Sequence, residues 1–566
     1  MRLKILLAAL LLPIVAVVLF SPFYQTNDDV AMRLIAEGHF VPDGKPLPFL
    51  MHVNVAIGAL LSLAYRLVPR LPWYDLLMGA GMTAAAMVLL RVWSGTGKLR
   101  EFVWAGLFAL FFLLPAFVAV QFSLVGLGCA AAGMAFLVRA CVEPLEDGPF
   151  RRHLLEGGAL LVFGALVRFE GAVLMILEGT ILAVPFVIGA WLRREQRPRL
   201  RPVALAFGAA CVLILTSFAV NQYVYARAAG WEEFHEYNLR RSRISEYISP
   251  ERITPEAVDR LARQVGWSGT DFTLFRNWFF TDPNLYNLRK VRTAEALFFG
   301  AGPKPTEESR ASRMKRGAEL AKSLFVETQL ALVFMLVFML SAVSTRYFLY
   351  ALGVVLTIAV LITGITVALK APEERIFWPM LVLGASMLPI AARRWGKPRH
   401  PAVAIAALAV ACYVTVVSVQ LLWKQSAERR VKSAIARQDA QGLLHSGGKF
   451  FVLHGNAFPY EDYWRPLHVE TTPFPFVALG VSARTPPVQD SLRRAGRTDL
   501  PLSLCREEGL LIVAPPYIPV LLTTFMAEHH GMQVRFDPIF TGQRLTAYKC
   551  TALSKGTADQ HTADNQ

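Results

Sequence analysis

Runs of about twenty mostly apolar residues, the length that crosses a bilayer as a helix, recur along this chain. They fall near 3–21, 75–92, 102–120, 122–140, 155–168, 171–190, 202–222, 326–344, 347–369, 376–391 and 402–422. Backbone polar groups in hydrocarbon have no water to bond, so such runs commit a chain to helices that satisfy their own hydrogen bonds. The expected fold is a membrane all-α bundle of about eleven transmembrane helices. A chain of 566 residues that is 54% hydrophobic and only 18% charged fits no soluble class. The opening MRLKILLAALLLPIVAVVLF has the basic start and apolar body of a secretory signal. It runs into SPFYQTNDD and not into a small-residue cleavage site, so it reads as a retained first span.

A formal net charge of +16 would suggest nucleic acid in a soluble protein. Here the cations sit in short loops between spans, where they act as topology determinants, and no nucleic-acid partner is expected. The stretch 53–68, VNVAIGALLSLAYRLV, is a twelfth apolar candidate, and charge bias decides it. With a cytoplasmic N-terminus and 53–68 lying in the outer interface, the loops 91–100, 151–153, 193–201 and 393–400 all fall inside. If 53–68 crosses, the first three fall outside. The first arrangement places loop 22–74, the turn at Arg168–Glu170, the segment 223–325 and everything after 423 outside, as for a multi-pass protein of the bacterial inner membrane with a periplasmic C-terminal domain. The short run 155–168 and its partner 171–190 could instead form a re-entrant hairpin, which would change the parity downstream.

Residues 1–422 thus read as a transmembrane domain with external loops 22–74 and 223–325. The second loop carries helical patterns near 251–264 and 305–323, with a dense aromatic run, GWSGTDFTLFRNWFFTDPNLY, between them. It is too long and bulky for a passive linker, and a folded cap is expected. Residues 423–438 read as a helix leaving the membrane. Beyond them, KFFVLHG, GLLIVAPP and QRLTAYKCTAL alternate as strands and PVLLTTFMAEHH as a helix. The expectation is a small extracytoplasmic α/β domain over 423–555 and a disordered tail over 556–566. Cys505 and Cys550 lie in that domain, either as a disulfide or as two free thiols; the other four cysteines sit in or beside apolar runs, and no spacing suits a metal.

Several charged clusters stand near the expected outer surface. Asn27, Asp28 and Asp29 open a short helix, where acids suit a cap and the helix dipole. A carboxylate at that depth is also suited to taking a proton from a hydroxyl. Arg168 and Glu170 interrupt ALVRFEGAVL, as a helix-end ion pair or as an arginine that meets a lipid phosphate. Lys370, Glu373, Glu374 and Arg375 form a mixed turn, solvated or phosphate-binding. His39, His52 and Asn54 share the first loop with the acids, and His52 is a candidate for acid–base or binding work. In 223–325 the groups Glu232, Glu233 and His235, Arg240, Arg241 and Arg243, and Asp271 with Asp282 stand out as functional or solvated clusters.

The acidic TNDD in an extended first external loop, the late large external loop and the soluble domain after the last span resemble the GT-C class of multi-spanning glycosyltransferases. The stretches NDDVAMRLIAEG, NLRRSRISEY and DFTLFRNWFFTDP are similar to bacterial members of that class, within the superfamily of protein mannosyltransferases and aminoarabinose transferases. The resemblance covers about residues 1–422. It implies a polyprenyl-phosphate or polyprenyl-pyrophosphate sugar donor, a glycan, lipid or protein acceptor, and a first-loop aspartate as base, the place taken here by Asp28 or Asp29 with Asp28 favoured. The implied donor contacts are Arg168, Glu170, Arg375, Lys370 and His52. No cofactor is required by the pattern, a divalent metal is compatible with it, and other envelope-glycan assembly proteins are conceivable partners. The WWDYG-like sequence of the oligosaccharyltransferase branch is absent. Three rival functions remain: a polysaccharide polymerase or ligase, a lipid-linked sugar transporter, and a non-catalytic scaffold.

The orientation is testable by cysteine labelling. A cysteine introduced for Ala229 should react with a membrane-impermeant maleimide from the periplasmic side, whereas one introduced for Gln196 should react only after the inner membrane is opened. The opposite pattern would invert the topology.

Overall fold

The computed structural model describes residues 2–40, 44–95, 97–143, 146–193, 197–247, 255–301, 329–340, 342–368, 373–398, 400–455, 457–468 and 474–553. Eight of its helices are long and apolar enough to cross a membrane: Trp73–Ser94, Leu99–Val118, Phe122–Val142, Phe169–Leu192, Arg197–Arg227, Thr345–Thr366, Glu374–Trp395 and Pro401–Leu444. Three more of the expected spans are present as shorter or more charged helices. Arg2–Leu19 is slightly short, Asp147–Val167 carries Arg151, Arg152 and Glu156 in its first half, and only Gln329–Met339 of the run 326–344 is described as helix. The interfacial candidate becomes Val55–Leu67, whose 13 residues are too few to cross. The helix expected over 305–323 lies outside the described residues.

Phe122–Val142 forms the centre of the bundle and is buried along its whole length. Small residues let it approach Asp147–Val167 closely: a Cβ on Gly133 would stand 2.6 Å from the Gly157 carbonyl oxygen, and one on Gly164 would stand 2.4 Å from that of Gly126. Outer helices turn bare apolar side chains outward, as Leu205, Val212 and Leu215 do on Arg197–Arg227, a surface that only lipid would cover. The helix Leu99–Val118 contains a π-turn over Ala109–Leu113, and the Trp378 indole N–H donates to the Phe112 carbonyl there at 3.1 Å.

The basic loops gather at one end of the bundle. Glu143 accepts from Arg139 at 2.6 Å and from Arg393 at 2.8 Å, and its backbone carbonyl accepts from Arg199 at 2.8 Å. Arg91 and Arg152 both meet Glu156. Four connections that are far apart in sequence are thereby tied together by charge pairs and by one arginine-to-carbonyl hydrogen bond.

At the other end, Pro401–Leu444 continues without a break into the C-terminal part of the chain. There a five-stranded sheet runs in the spatial order Phe476–Ala478, Phe450–Leu453, Leu510–Val513, Thr546–Ala552, Val534–Thr541. The first three strands are parallel and the last two pairings antiparallel. The central strand Leu510–Val513 is buried throughout, as its unbroken apolar run requires, while the edge strand Val534–Thr541 is largely open. Cys505 and Cys550 form a disulfide that fastens the helix Leu500–Arg506 to the sheet.

One buried arginine joins this sheet-bearing part to the bundle. Arg33, on the helix Asn27–Glu37, donates to Glu37 at 2.8 Å, to the Tyr24 hydroxyl at 3.1 Å, and to the backbone carbonyls of Arg465 at 3.1 Å and His468 at 2.5 Å. Asp75 lies 3.4 Å from the same guanidinium and also accepts from Tyr24 at 2.5 Å and from the Leu467 N–H at 2.9 Å. Removing one member of such a set leaves an uncompensated buried charge, at a cost of about 3–5 kcal/mol. Arg33→Met should therefore lower the melting temperature markedly and expose the 464–468 stretch to limited proteolysis; a variant that melts and digests like the parent would refute this account of the junction.

Candidate functional site

The two adjacent acids of the first loop go to different places. Asp29 is fully buried and accepts from the Tyr74 hydroxyl at 2.8 Å, the Thr26 hydroxyl at 3.0 Å and the Phe122 N–H at 2.9 Å. It thereby locks the start of the helix Asn27–Glu37 to the segment that enters Phe122–Val142. The parallel pairing of Phe23–Tyr24 with Ala119–Val120 holds the same two segments one step earlier. Burial pushes the Asp29 carboxyl up to about 7 against those three donors. Asp28 points the other way, into a cavity of about 1190 Å3.

That cavity lies at the end of the bundle away from the basic loops, and its walls come from both parts of the chain. The bundle side contributes Asp28, His52, Phe122, Arg168, Glu170 and Arg375. Of the site residues expected from sequence, Asp28, His52, Arg168, Glu170 and Arg375 meet here. Asp29 stands behind the wall, and Lys370 lies outside the described residues.

His52 is the hub. Its Nε2 is 3.9 Å from a carboxylate oxygen of Asp28, and its ring stacks on Phe122 with centroids 5.6 Å apart. The Arg168 guanidinium lies 5.5 Å from the centroid of the same Phe122 ring. Burial lowers the proton affinity of His52, and the Asp28 charge opposes that shift. Arg168 is the single extended residue between the helices Asp147–Val167 and Phe169–Leu192, at the turn expected there. Its Nε is 3.3 Å from Glu170, and Arg375 is 2.8 Å from Glu373, so each cation is oriented by a neighbouring acid.

The large loop supplies a wall that sequence patterns only partly revealed. Arg240 and Arg243 both pair with Glu295 at 2.6 Å, while Arg241 between them turns toward the cavity. Arg241 is buried, pairs with Glu246 at 3.0 Å and stands 4.4 Å over the ring of Trp278. Trp278 has φ of 64°, a left-handed conformation that a bulky residue adopts at a cost. Three consecutive aromatics, Trp278, Phe279 and Phe280, in a run punctuated by asparagine and proline are weak notice of such a residue. Burial holds the His235 imidazole down to about 4, and that ring also lines the cavity.

No residue of the last wall stood out in the sequence. Gly455, Tyr460 and the turn Leu479–Ser482 line the cavity, just beyond the carboxyl ends of the parallel strands Phe450–Leu453 and Phe476–Ala478. The carboxyl ends of parallel strands are where open α/β sheets generally meet ligands. Recognising KFFVLHG as a strand followed by a glycine was the available signal.

Among the described residues, one group of side chains could hold a divalent cation: Asp271, Glu528 and His529 each offer a ligand atom within 4.8 Å of the others. None of them lines the cavity. Hydrogen bonds already account for their arrangement. Asp271 closes a capping box with Ser268 and accepts from His529 at 2.8 Å, and Glu528 accepts from the Ser268 hydroxyl at 2.7 Å. Asp282 likewise caps a turn through the N–H groups of Asn284 and Leu285.

Neither a protein-family model nor a curated protein sequence matches the chain. Two solved structures are similar over most of its length, those of ArnT from Cupriavidus metallidurans bound to undecaprenyl phosphate and in the apo state. Each is 12% identical and covers 96% of this chain and 97% of its own, with TM-scores of 0.41 and 0.40. At that distance the likeness assigns neither a reaction nor a residue role.

The split between the acids can be measured. Asp29→Ala leaves the Tyr74 hydroxyl and the Phe122 N–H without their buried acceptor and should cost about 2–4 kcal/mol in thermal or denaturant unfolding, whereas Asp28→Ala should leave stability nearly unchanged. The Asp29 value is raised on folding, so its contribution is present below the ordinary 3.8 and is lost as pH rises through about 7. Asp29→Asn should therefore flatten the fall in stability across that window.

Proposed function

We propose that this chain is an inverting glycosyltransferase that moves a sugar from a polyprenyl-phosphate or polyprenyl-pyrophosphate donor to a glycan, lipid or protein acceptor at the outer face of the bacterial inner membrane. The observation that carries the reading is the convergence of Asp28 with Arg168 and Arg375 around His52 in one large cavity, at the end of a membrane-spanning bundle opposite its basic loops. A cavity of about 1190 Å3 exceeds the few hundred Å3 that one small ligand fills and is suited to a donor head and an acceptor together.

In this reading the donor phosphate lies against Arg168 and Arg375, which are planar donors matched to phosphate oxygens and held in place by Glu170 and Glu373. The acceptor hydroxyl attacks the anomeric carbon from the face opposite the phosphate. A carbon–oxygen bond forms to the acceptor, the bond to the phosphate oxygen breaks, and its electron pair leaves with the lipid phosphate. The hydroxyl proton passes to Asp28. His52, disfavoured as a cation by burial, steers the Asp28 carboxylate while Phe122 fixes its ring. The two guanidinium groups stabilise the charge that grows on the leaving phosphate. Arg241 and Trp278 offer a charged and an aromatic face to the sugar. The C-terminal unit over 423–555 then forms the acceptor side through Gly455, Tyr460 and Leu479–Ser482.

The decisive assay uses the purified chain in lipid with a panel of polyprenyl-phosphate sugars. Asp28→Asn should cut turnover by at least about a hundredfold, and Arg168→Ala and Arg375→Ala should each weaken transfer while the fold persists. Full turnover in folded Asp28→Asn would remove the base, and no turnover with any polyprenyl-linked donor would remove the donor class.

A further inference from the structure

A second, smaller pocket opens where the first helix and the long last helix leave the apolar layer. Its volume is about 180 Å3, and Ser21, Pro22 and Phe23 close one side of it. Arg429, Arg430, Ser433 and Arg437 of the helix Pro401–Leu444 form the floor, and Glu461, Asp462 and Arg465 form the far wall. Four guanidinium groups thus face two carboxylates. One of those carboxylates is already compensated: Asp462 is 3.1 Å from Arg429 and also pairs with Arg544, which stands outside the pocket. Over the lining residues alone, cations outnumber acids by four to two. Ser433 is 8% exposed, and its buried hydroxyl, on the pocket floor, has no hydrogen-bond partner among the described residues.

The level of this pocket relative to the bilayer can be read from its neighbours. Phe20 and Trp423 meet edge to face with centroids 5.7 Å apart just below it, an arrangement typical of the aromatic layer at a membrane surface. Val18 and Leu19 are exposed apolar residues on the same flank. Arg430 lies 5.5 Å from the centroid of the Trp423 ring and donates to the Leu19 carbonyl at 2.8 Å, which ties the basic group to the end of the first helix. Arg429 covers the Phe23 ring at 4.6 Å. A phosphate here would sit at headgroup depth while its acyl chains ran down the exposed side of the first helix.

We propose that this pocket binds the phosphate of an anionic membrane phospholipid. Guanidinium groups offer forked donors to phosphate oxygens, and a basic pocket between helices at the membrane surface is the setting in which lipid head groups are recognised. The Ser433 hydroxyl, which has no partner among the described residues, supplies one further donor. The volume admits a phosphate ester and is too small for a donor sugar with its carrier phosphate. The short helix Tyr460–Tyr463 forms the partition between the two sites, with Tyr460 lining the large cavity and Glu461 and Asp462 the small one. A bound lipid therefore braces one wall of the large cavity, whatever reaction occurs there.

The full-length chain, purified in mild detergent and stripped of lipid, is offered phosphatidylglycerol or phosphatidylcholine, and retained lipid is counted by native mass spectrometry. One phosphatidylglycerol should be kept at least about tenfold more than phosphatidylcholine, a difference worth about 1.4 kcal/mol. Ser433→Leu, which fills the pocket without changing charge, and Arg437→Gln should each reduce retention to the phosphatidylcholine level, while Arg437→Lys should keep most of it. Each variant is scored only if its melting temperature shows it folded, and Ser433→Leu alone decides if Arg437→Gln does not fold. Equal retention of both lipids, or unchanged retention in folded Ser433→Leu, overturns the proposal. Stabilisation by inorganic phosphate alone equal to that by phosphatidylglycerol overturns the lipid and leaves a site for free anions.

Discussion

A guanidinium buried almost completely is tolerable only when its donors are used, and Arg33 engages four separate parts of the chain. It holds its own helix through Glu37, the first strand through Tyr24, the start of the helix Trp73–Ser94 through Asp75, and the C-terminal part through two backbone carbonyls. The desolvation cost of such a charge is several kcal/mol, and these contacts offset it. Its bonds to the Arg465 and His468 carbonyls hold the C-terminal part against the bundle, and one wall of the large cavity is made by turns at the ends of that part's parallel strands.

Within that frame, the acids at 28 and 29 show how neighbouring residues of the same type acquire different chemistry. Successive residues on a helix point about 100° apart, so the first turn that buries Asp29 among three donors turns Asp28 a different way, to the cavity. Asp29 is an organiser: its bond to the Phe122 N–H fixes the segment whose ring carries His52 on one side and Arg168 nearby. The pocket that holds Asp28 is thereby shaped by a residue that never reaches it. The arginine run at 240–243 divides in the same way, with two members spent on Glu295 and Arg241 turned to the cavity.

Charge also distinguishes the two ends of the bundle. At one end, acids and bases from distant loops neutralise each other around Glu143 and Glu156. At the other, the cations Arg168, Arg375 and Arg241 are each paired with a nearby acid and line the open volume. The first arrangement suits a structural clasp; the second leaves positive charge available to a ligand with negative charge of its own.

Local sequence was enough for whatever depends on local physics. Apolar runs of membrane length appear as helices, the thirteen-residue Val55–Leu67 stays too short to cross, and the strands of KFFVLHG, GLLIVAPP and QRLTAYKCTAL stand where alternation and apolar runs put them. Charged residues placed against apolar surroundings announced Asp28, Arg168 and Arg375, because ionisable groups are costly there and stand out from their neighbours. What required the tertiary structure was every choice made by contacts distant in sequence: which of two adjacent acids is buried, which arginine of three enters the cavity, that Cys505 meets Cys550, and that Gly455 and Leu479–Ser482 close a site opened by residue 28. Those choices rest on burial and on contacts between segments tens to hundreds of residues apart, and no periodicity along the chain encodes which segment will supply the partner.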